Sequence, residues 1–291
     1  MEIGLLFMMA LKKVQIINNT VDFNESKDNH LSIQLSLDGF SFCVIDKNTN
    51  EVNLIKHISF EKSSSTPEKH LKNVEIVFKT EDVLNKRYNS VNVSHVNDLS
   101  TLVPKPLFDP NHINSYIKYS SKTYKNDYIV YDEIENHDMF NVFIPFVNIN
   151  NFLLEKFGSF EYKHFSSILI ENLLNTYKFS ERPHLFVDLH NDHFEIVAIA
   201  NNKLVLYNSF RYKTEEDFIY YILFTAEQLN FNPEKFELVL SGSVVKDDTY
   251  YKIAYNYVRN ISLLENRSKY TFCDSFNEEI KREYYTLLNQ Y

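Results

Sequence analysis

Glycine is scarce in this chain: four residues in 291, where an average protein carries about 7%. Gly4, Gly39, Gly158 and Gly242 are too scattered to form a Walker loop, a dinucleotide fingerprint or a set of phosphate turns, all of which cluster glycines. Tryptophan is absent, and the two cysteines, Cys43 and Cys273, have no CxxC spacing. That pattern offers neither a disulfide framework nor a structural zinc site and suits the reducing cytoplasm. Excess positive charge is also missing. With a formal charge of −9 and no long basic run, the chain lacks the lysines and arginines that neutralise phosphates, so a nucleic acid is not an expected partner. The apolar stretch Gly4–Leu11 is too short to span a bilayer, and no Lys or Arg precedes it as in a secretory n-region. Membrane insertion is therefore not expected. The stretch reads as a disordered start, with Met8 and Met9 as alternatives to Met1 for initiation. No GxSxG elbow is present for a serine hydrolase.

What remains is an ordinary globular composition, 44% hydrophobic and 24% charged, weighted towards rings by 20 Tyr and 24 Phe. Its length suits two lobes with separate cores. Residues 31–37 alternate apolar and polar, Asp38-Gly39 supplies a hairpin turn, and 40–46 runs back. A third strand is expected over Val52–Phe60. Thr66 as N-cap and Pro67 then open a helix carrying Leu71, Val74 and Phe78 to about Leu84, followed by a strand at Val91–His95. The order returns about 150 residues later: strands at 184–190, 193–200 and 203–210, a capped helix from Thr214, and the apolar strand Phe236–Ser241. A helix over 248–258 follows. Between the copies, LVPKPLFDP is expected as a connector into a short helix at 111–118. Strands Tyr128–Ile134 and Met139–Phe146, a helix Ile149–Phe157 closed by Gly158, a strand Phe160–Phe165 and a helix capped by Ser166 come next.

Two β-β-β-α-β units in tandem resemble the actin, sugar kinase and heat-shock chaperone superfamily. Leu185–Ile199 is similar to its second phosphate motif, with Asp188 and Leu189 matching and His190, Asn191 and Asp192 standing where consecutive glycines are usual. Leu31–Val44 resembles the first phosphate motif, keeping Gly39, with Leu37 or Asp38 at the acid position and the rings of Phe40 and Phe42 near the hydroxyl positions. Leu238–Ser243 resembles the adenosine motif, keeping Gly242, with Ser241 or Ser243 for its partner. The block 127–174 is similar to PilM-like proteins, and LVPxxLF at 102–108 resembles an uncharacterised bacterial family of unknown function. The resemblance implies an α/β, duplicated actin-like ATPase (ribonuclease H-like) fold, each lobe a mixed five-stranded sheet flanked by helices. Its parts would be an N-terminal extension at 1–30, partly disordered, lobe I with a PilM-like insertion at 31–180, and lobe II at 181–291.

The substituted motifs lead to an expectation of lost chemistry, because backbone amides wrap a phosphate only where no Cβ blocks the approach. No catalytic residue, metal or cofactor is expected. The degenerate cleft positions are Asp38, Gly39, Phe40, Asp188, His190, Asn191, Asp192, Gly242 and Ser243. The expected role is a non-catalytic, cytoplasmic interaction scaffold for an unknown protein partner. One alternative is a divergent ATPase or kinase that still holds ATP with Mg. The other is an interlobe cleft for a different ligand, floored by His190, Asp192 and Ser243 and open only if Phe40 and Phe42 do not plug it. His184, His190 and His193 with Asp188 and Asp192 form a metal-capable set that reads better as solvated turn residues. Cys43 reads as a buried inert thiol, and the adjoining pairs Asp132–Glu133 and Glu215–Glu216 as surface charges. The aromatic run Phe218, Tyr220, Tyr221, Phe224 reads as core packing, with a protein-binding surface as alternative.

Overall fold

The computed structural model describes residues 11–17, 28–60, 64, 66–119, 123–124 and 127–291. The chain forms two compact units: Met1–Ile168 with Lys269–Phe276 and Thr286–Tyr291, and Leu169–Ser268 with Asn277–Tyr285.

The first unit contains β1 (Leu11–Ile17), β2 (Asn29–Leu35), β3 (Gly39–Asp46), β4 (Glu51–Phe60), β5 (Ser90–His95), β6 (Ser100–Pro104), β7 (Val130–Ile134), β8 (Met139–Phe143) and β9 (Glu161–His164). Its main sheet runs β1-β4-β3-β2-β5-β9. Strand alternation turns Leu31, Ile33 and Leu35 of β2 and Phe40, Phe42 and Val44 of β3 to one face, where Val74, Val77 and Phe78 of the helix Pro67–Thr80 and Ile149 and Leu153 of the helix Val147–Phe157 cover them. Burying such side chains contributes about 1.5–3 kcal/mol each. The helix at Pro67 starts where expected, with Thr66 accepting from the Lys69 N–H at 3.3 Å. A smaller sheet, β6-β8-β7, packs Val103, Val142 and Ile144 with Ile117.

The second unit repeats the main sheet. It contains β10 (His184–Leu189), β11 (His193–Ala200), β12 (Lys203–Arg211), β13 (Glu237–Gly242) and β14 (Asn260–Leu263), in the order β12-β11-β10-β13-β14. The first three strands of each copy pair antiparallel and the last two add in parallel, so β4-β3-β2-β5-β9 and β12-β11-β10-β13-β14 match pair for pair. Phe218, Ile222 and Ala226 of the helix Glu215–Gln228 cover Leu185, Val187, Phe194 and Ile196. Thr214 and Asp217 close a capping box at the start of that helix. Tyr220 and Phe224 stay exposed while Phe218 is buried, so the aromatic run divides between core and surface.

With so little glycine, the left-handed backbone positions fall to Asn and Asp. Among the described residues every non-glycine residue with positive φ is one of these: Asn50, Asn136, Asp138, Asn201, Asn202, Asn230 and Asp247. Their short polar side chains tolerate that region better than others do. Asn201 and Asn202, both with positive φ, make the two-residue turn joining β11 to β12.

Several expectations are corrected. Within 1–30, Leu11–Ile17 is a strand paired antiparallel to β4, and β2 already begins at Asn29. Residues 4–10, with the alternative starts Met8 and Met9, lie outside the described residues. The first sheet exceeds five strands, because β1 and β15 (Thr271–Phe272) both pair with β4. The unit boundary falls at Ile168/Leu169, inside the helix Phe165–Thr176, and two C-terminal segments belong to the first unit. LVP at 102–104 is the end of β6, paired to β8. The helix from Pro67 ends at Thr80, a separate 3-10 turn following over Asp82–Asn85.

Ser166 does not cap its helix, which starts one residue earlier at Phe165. Asp132 serves that end instead, accepting from the His164 N–H at 2.7 Å and the Ser167 hydroxyl at 2.6 Å. Asp132 is therefore a buried structural acid and not a surface charge. A carboxylate at a helix N-terminus is favoured by the helix dipole.

Candidate functional site

The turn between β10 and β11 carries the residues with most chemistry in the second unit. Asp188 sits one residue before the end of β10 and lies beside Ser241 of β13, whose hydroxyl donates to Asp188 Oδ1 at 2.8 Å. His190 Nε2 lies 3.2 Å from Asp188 Oδ2, and the His190 ring stacks on His193 at 4.7 Å between centroids. The backbone of the turn is also occupied. The His190 N–H donates to the His193 carbonyl at 2.9 Å, the Tyr212 hydroxyl donates to the His190 carbonyl at 2.6 Å, and the Tyr212 N–H to the Asp192 carbonyl at 3.3 Å. Asn191 and Asp192 are exposed at the tip, and Asp192 meets His193 Nδ1 at 2.7 Å. That hydrogen bond, ahead of opposing burial, holds the Asp192 carboxyl below its usual range.

Glu195 lies opposite Asp188 across the β10–β11 pair, and both are buried. Burial pushes the Glu195 carboxyl up, against the lowering effect of a Tyr207 hydrogen bond. Burial likewise raises Glu283. Glu195 and Tyr212 belong to this cluster without matching any motif position in the sequence, whereas Ser241 falls in the adenosine-like motif. Alternation within β11 puts Glu195 on the face of His193, but its place opposite Asp188, like the arrival of Tyr212, comes from strand pairing.

Gly242 has φ +76°, and a Cβ there would stand 2.2 Å from the Leu189 carbonyl oxygen. The next residue, Ser243, is exposed and its N–H donates to the same Leu189 carbonyl at 2.8 Å. This glycine is thus demanded by the meeting of β13 with β10. His184, part of the metal-capable set in the sequence, is at the far end of β10, against Tyr177 and the Arg182 carbonyl. Among the described residues no group of three His, Cys, Asp or Glu side chains is arranged to hold a metal ion.

In the first unit, the turn between β2 and β3 closes on itself. The Ser36 N–H donates to the Gly39 carbonyl at 3.1 Å and its hydroxyl to Asp38 Oδ1 at 2.6 Å, leaving Leu37 and Asp38 exposed at the tip. Gly39 leaves room for His57, because a Cβ would come within 2.8 Å of the His57 Cε1. His57 pairs its two ring nitrogens with the Ser41 hydroxyl at 2.8 Å and the Ser59 hydroxyl at 2.9 Å, and burial lowers its pKa. Phe40 is corrected as a site residue, and so is the placing of the Phe40 and Phe42 rings near the hydroxyl positions. Both are fully buried in the sheet–helix core, Phe40 edge-on to Phe42 and Phe78, so neither ring stands at the turn. Cys43 is buried with its thiol pushed up to about 12 by desolvation, an inert sulfur as expected.

Two copies of one five-strand order, each with a turn at the end of its first strand, make this an actin-like ATPase fold. A Bacteroides thetaiotaomicron protein with actin-like ATPase fold and unknown function is similar to it: 25% identical, covering 84% of this chain and 94% of that one, with a TM-score of 0.73. The solved PilM–PilN type IV pilus biogenesis complex also contains a similar chain, 11% identical over 90% of this chain and 97% of that one, with a TM-score of 0.59, a likeness of fold alone. Residues 18–261 match the family described as protein of unknown function (DUF3822), and the chain belongs to that family. No curated protein matches it.

Proposed function

We propose that this chain is a non-catalytic actin-like protein, a pseudo-ATPase, which works in the cytoplasm as a scaffold for a protein partner and binds no nucleotide cofactor. The observation that carries the reading is the β10–β11 turn. A phosphate-binding turn keeps its amides free and its approach bare. Here the His190 amide is spent on His193, the His190 ring sits beside the Asp188 carboxylate that a magnesium-bound water would need, and each turn residue carries a Cβ. The β2–β3 turn supports it, since its acid is bound to Ser36 and its glycine serves His57. A chain of this fold occurs in the PilM–PilN complex, which makes protein holding a role the fold can take. Among the described residues no helix is long and apolar enough to cross a membrane, so the scaffold is not expected to be inserted in one.

Calorimetric titration with ATP and magnesium tests the reading, and no saturable heat is expected. Micromolar binding would overturn it. Phosphate release by the wild type that Asp188→Ala abolishes would replace it with a divergent ATPase.

A further inference from the structure

At the end of the first sheet away from the β2–β3 turn lies a cavity of about 660 Å³, where β5 and β9 begin. Because β5 runs parallel to β2, a strand of six residues, roughly 20 Å, separates the two places. The cavity's volume is of the size that takes a small organic ligand.

Its lining is cationic in a chain whose formal charge is −9. Lys86, Arg87 and Lys156 line it, against Glu161 as the one acidic side chain. Lys47 adds a further cation, its ammonium 3.3 Å from Asn89 Oδ1 and 3.5 Å from Ser90 Oγ, two lining residues. The Lys156 ammonium stands over the Phe78 and Phe152 rings at 5.9 and 5.5 Å and the Lys47 ammonium over the Tyr291 ring at 5.0 Å, while Lys86 and Arg87 belong to the lining itself. Neutral polar groups of Asn89, Ser90 and Asn92 stand among them, and Tyr88, Phe157 and Phe160 supply apolar wall. Tyr291 closes the lining with its ring already engaged, stacked on His30 at 4.0 Å.

We propose that this cavity binds a small phosphate monoester with an aromatic or apolar body. An arginine beside lysines suits a phosphate dianion, which accepts several charge-assisted hydrogen bonds at once. The ring wall suits the body of the ester. Glu161 opposes the charge, so the site holds a built-in repulsion that can be removed.

The test uses the full chain with phenyl phosphate, inorganic phosphate and phenol as calorimetric probes. Phenyl phosphate is expected to bind saturably and more tightly than inorganic phosphate, with phenol silent. Arg87→Ala combined with Lys86→Ala should weaken phenyl phosphate by about tenfold or more, and Glu161→Gln should tighten it severalfold. Both changes are at surface-reaching side chains, and an unchanged thermal melt shows that the fold is kept. Asp188→Asn, in the second unit, should leave the binding untouched. No saturable binding of phenyl phosphate overturns the proposal. So does binding that ignores the Lys86 and Arg87 changes, or that Asp188→Asn removes.

Discussion

The two copies of the sheet share strand order, pairing and a backbone bond that closes the first turn, from Ser36 to Gly39 and from His190 to His193, yet the side chains around those turns differ. The β2–β3 turn is shut by backbone and by Ser36, and its retained glycine admits a histidine ring. The β10–β11 turn has no glycine and adds side chains to the same kind of backbone bond, with His190 against Asp188 and stacked on His193. One architecture thus surrounds its two first turns with different side chains. The glycine that the sequence keeps at a motif position is therefore poor evidence of the motif's chemistry. Gly242 makes the same point, since the backbone of Leu189 accounts for it.

The units also differ in the balance of the titratable groups they bury. In the first unit burial pushes His30 and His95 down to about 3 and His70 and His164 to about 4, from 6.5. Each is neutral when folded but takes a proton when unfolded below 6.5, so stability falls as pH drops from there towards the folded values. Going to about pH 5 should cost roughly 1–2 kcal/mol per histidine. In the second unit burial lowers His184 on β10 as well, but Glu195 and Glu283 are raised by burial, which acidification relieves. Hydrogen exchange at pH 7 and pH 5, corrected for intrinsic rates, should show β2 and β3 losing protection well before β10 and β11. Equal losses would break the contrast.

A smaller effect separates the glycines. Gly242→Ala adds a Cβ 2.2 Å from a backbone oxygen at a left-handed position and should cost about 3 kcal/mol. Gly39→Ala meets a movable ring atom at 2.8 Å and should cost about 1 kcal/mol. Denaturant midpoints of the two variants would check the order, and its reversal would mean that His57 is held more rigidly than Leu189.

The smallest effect sharpens the reading of the second turn. Glu195 has its folded pKa raised above 4.5, so its burial penalty is absent below the unfolded value and grows as pH rises to the folded one. Glu195→Gln should therefore melt higher than wild type at pH 7, and the advantage should vanish in acid. A lower melt at pH 7 would show that the Tyr207 hydrogen bond outweighs the desolvation.

Much of the fold was legible because its signals are local. Alternation marked β2, β3, β10 and β11, Thr66 and Thr214 marked helix starts, and the β-β-β-α-β order marked the duplication. β6 was hidden by Pro104 at its end, which an edge position tolerates. The sequence places Asp38 and Asn191 in hairpin turns, as the structure does, but Phe40 lies in the core, because alternation gives two faces without saying which is the core. Asp132 was misread for a similar reason: its partners His164 and Ser167 lie over thirty residues away.

By itself the sequence determined the repeated order of elements and the shortage of glycine that leaves side chains in both turns, since each depends on neighbours a few residues apart. Only the tertiary structure decided that the His190 amide is spent on His193, that Gly242 answers to Leu189, that Phe40 lies in the core and that Lys47 joins Lys86 and Arg87 beside one cavity. Strand pairing and sheet packing bring these groups together from distant parts of the chain, and no local pattern encodes which partner a buried polar group will meet.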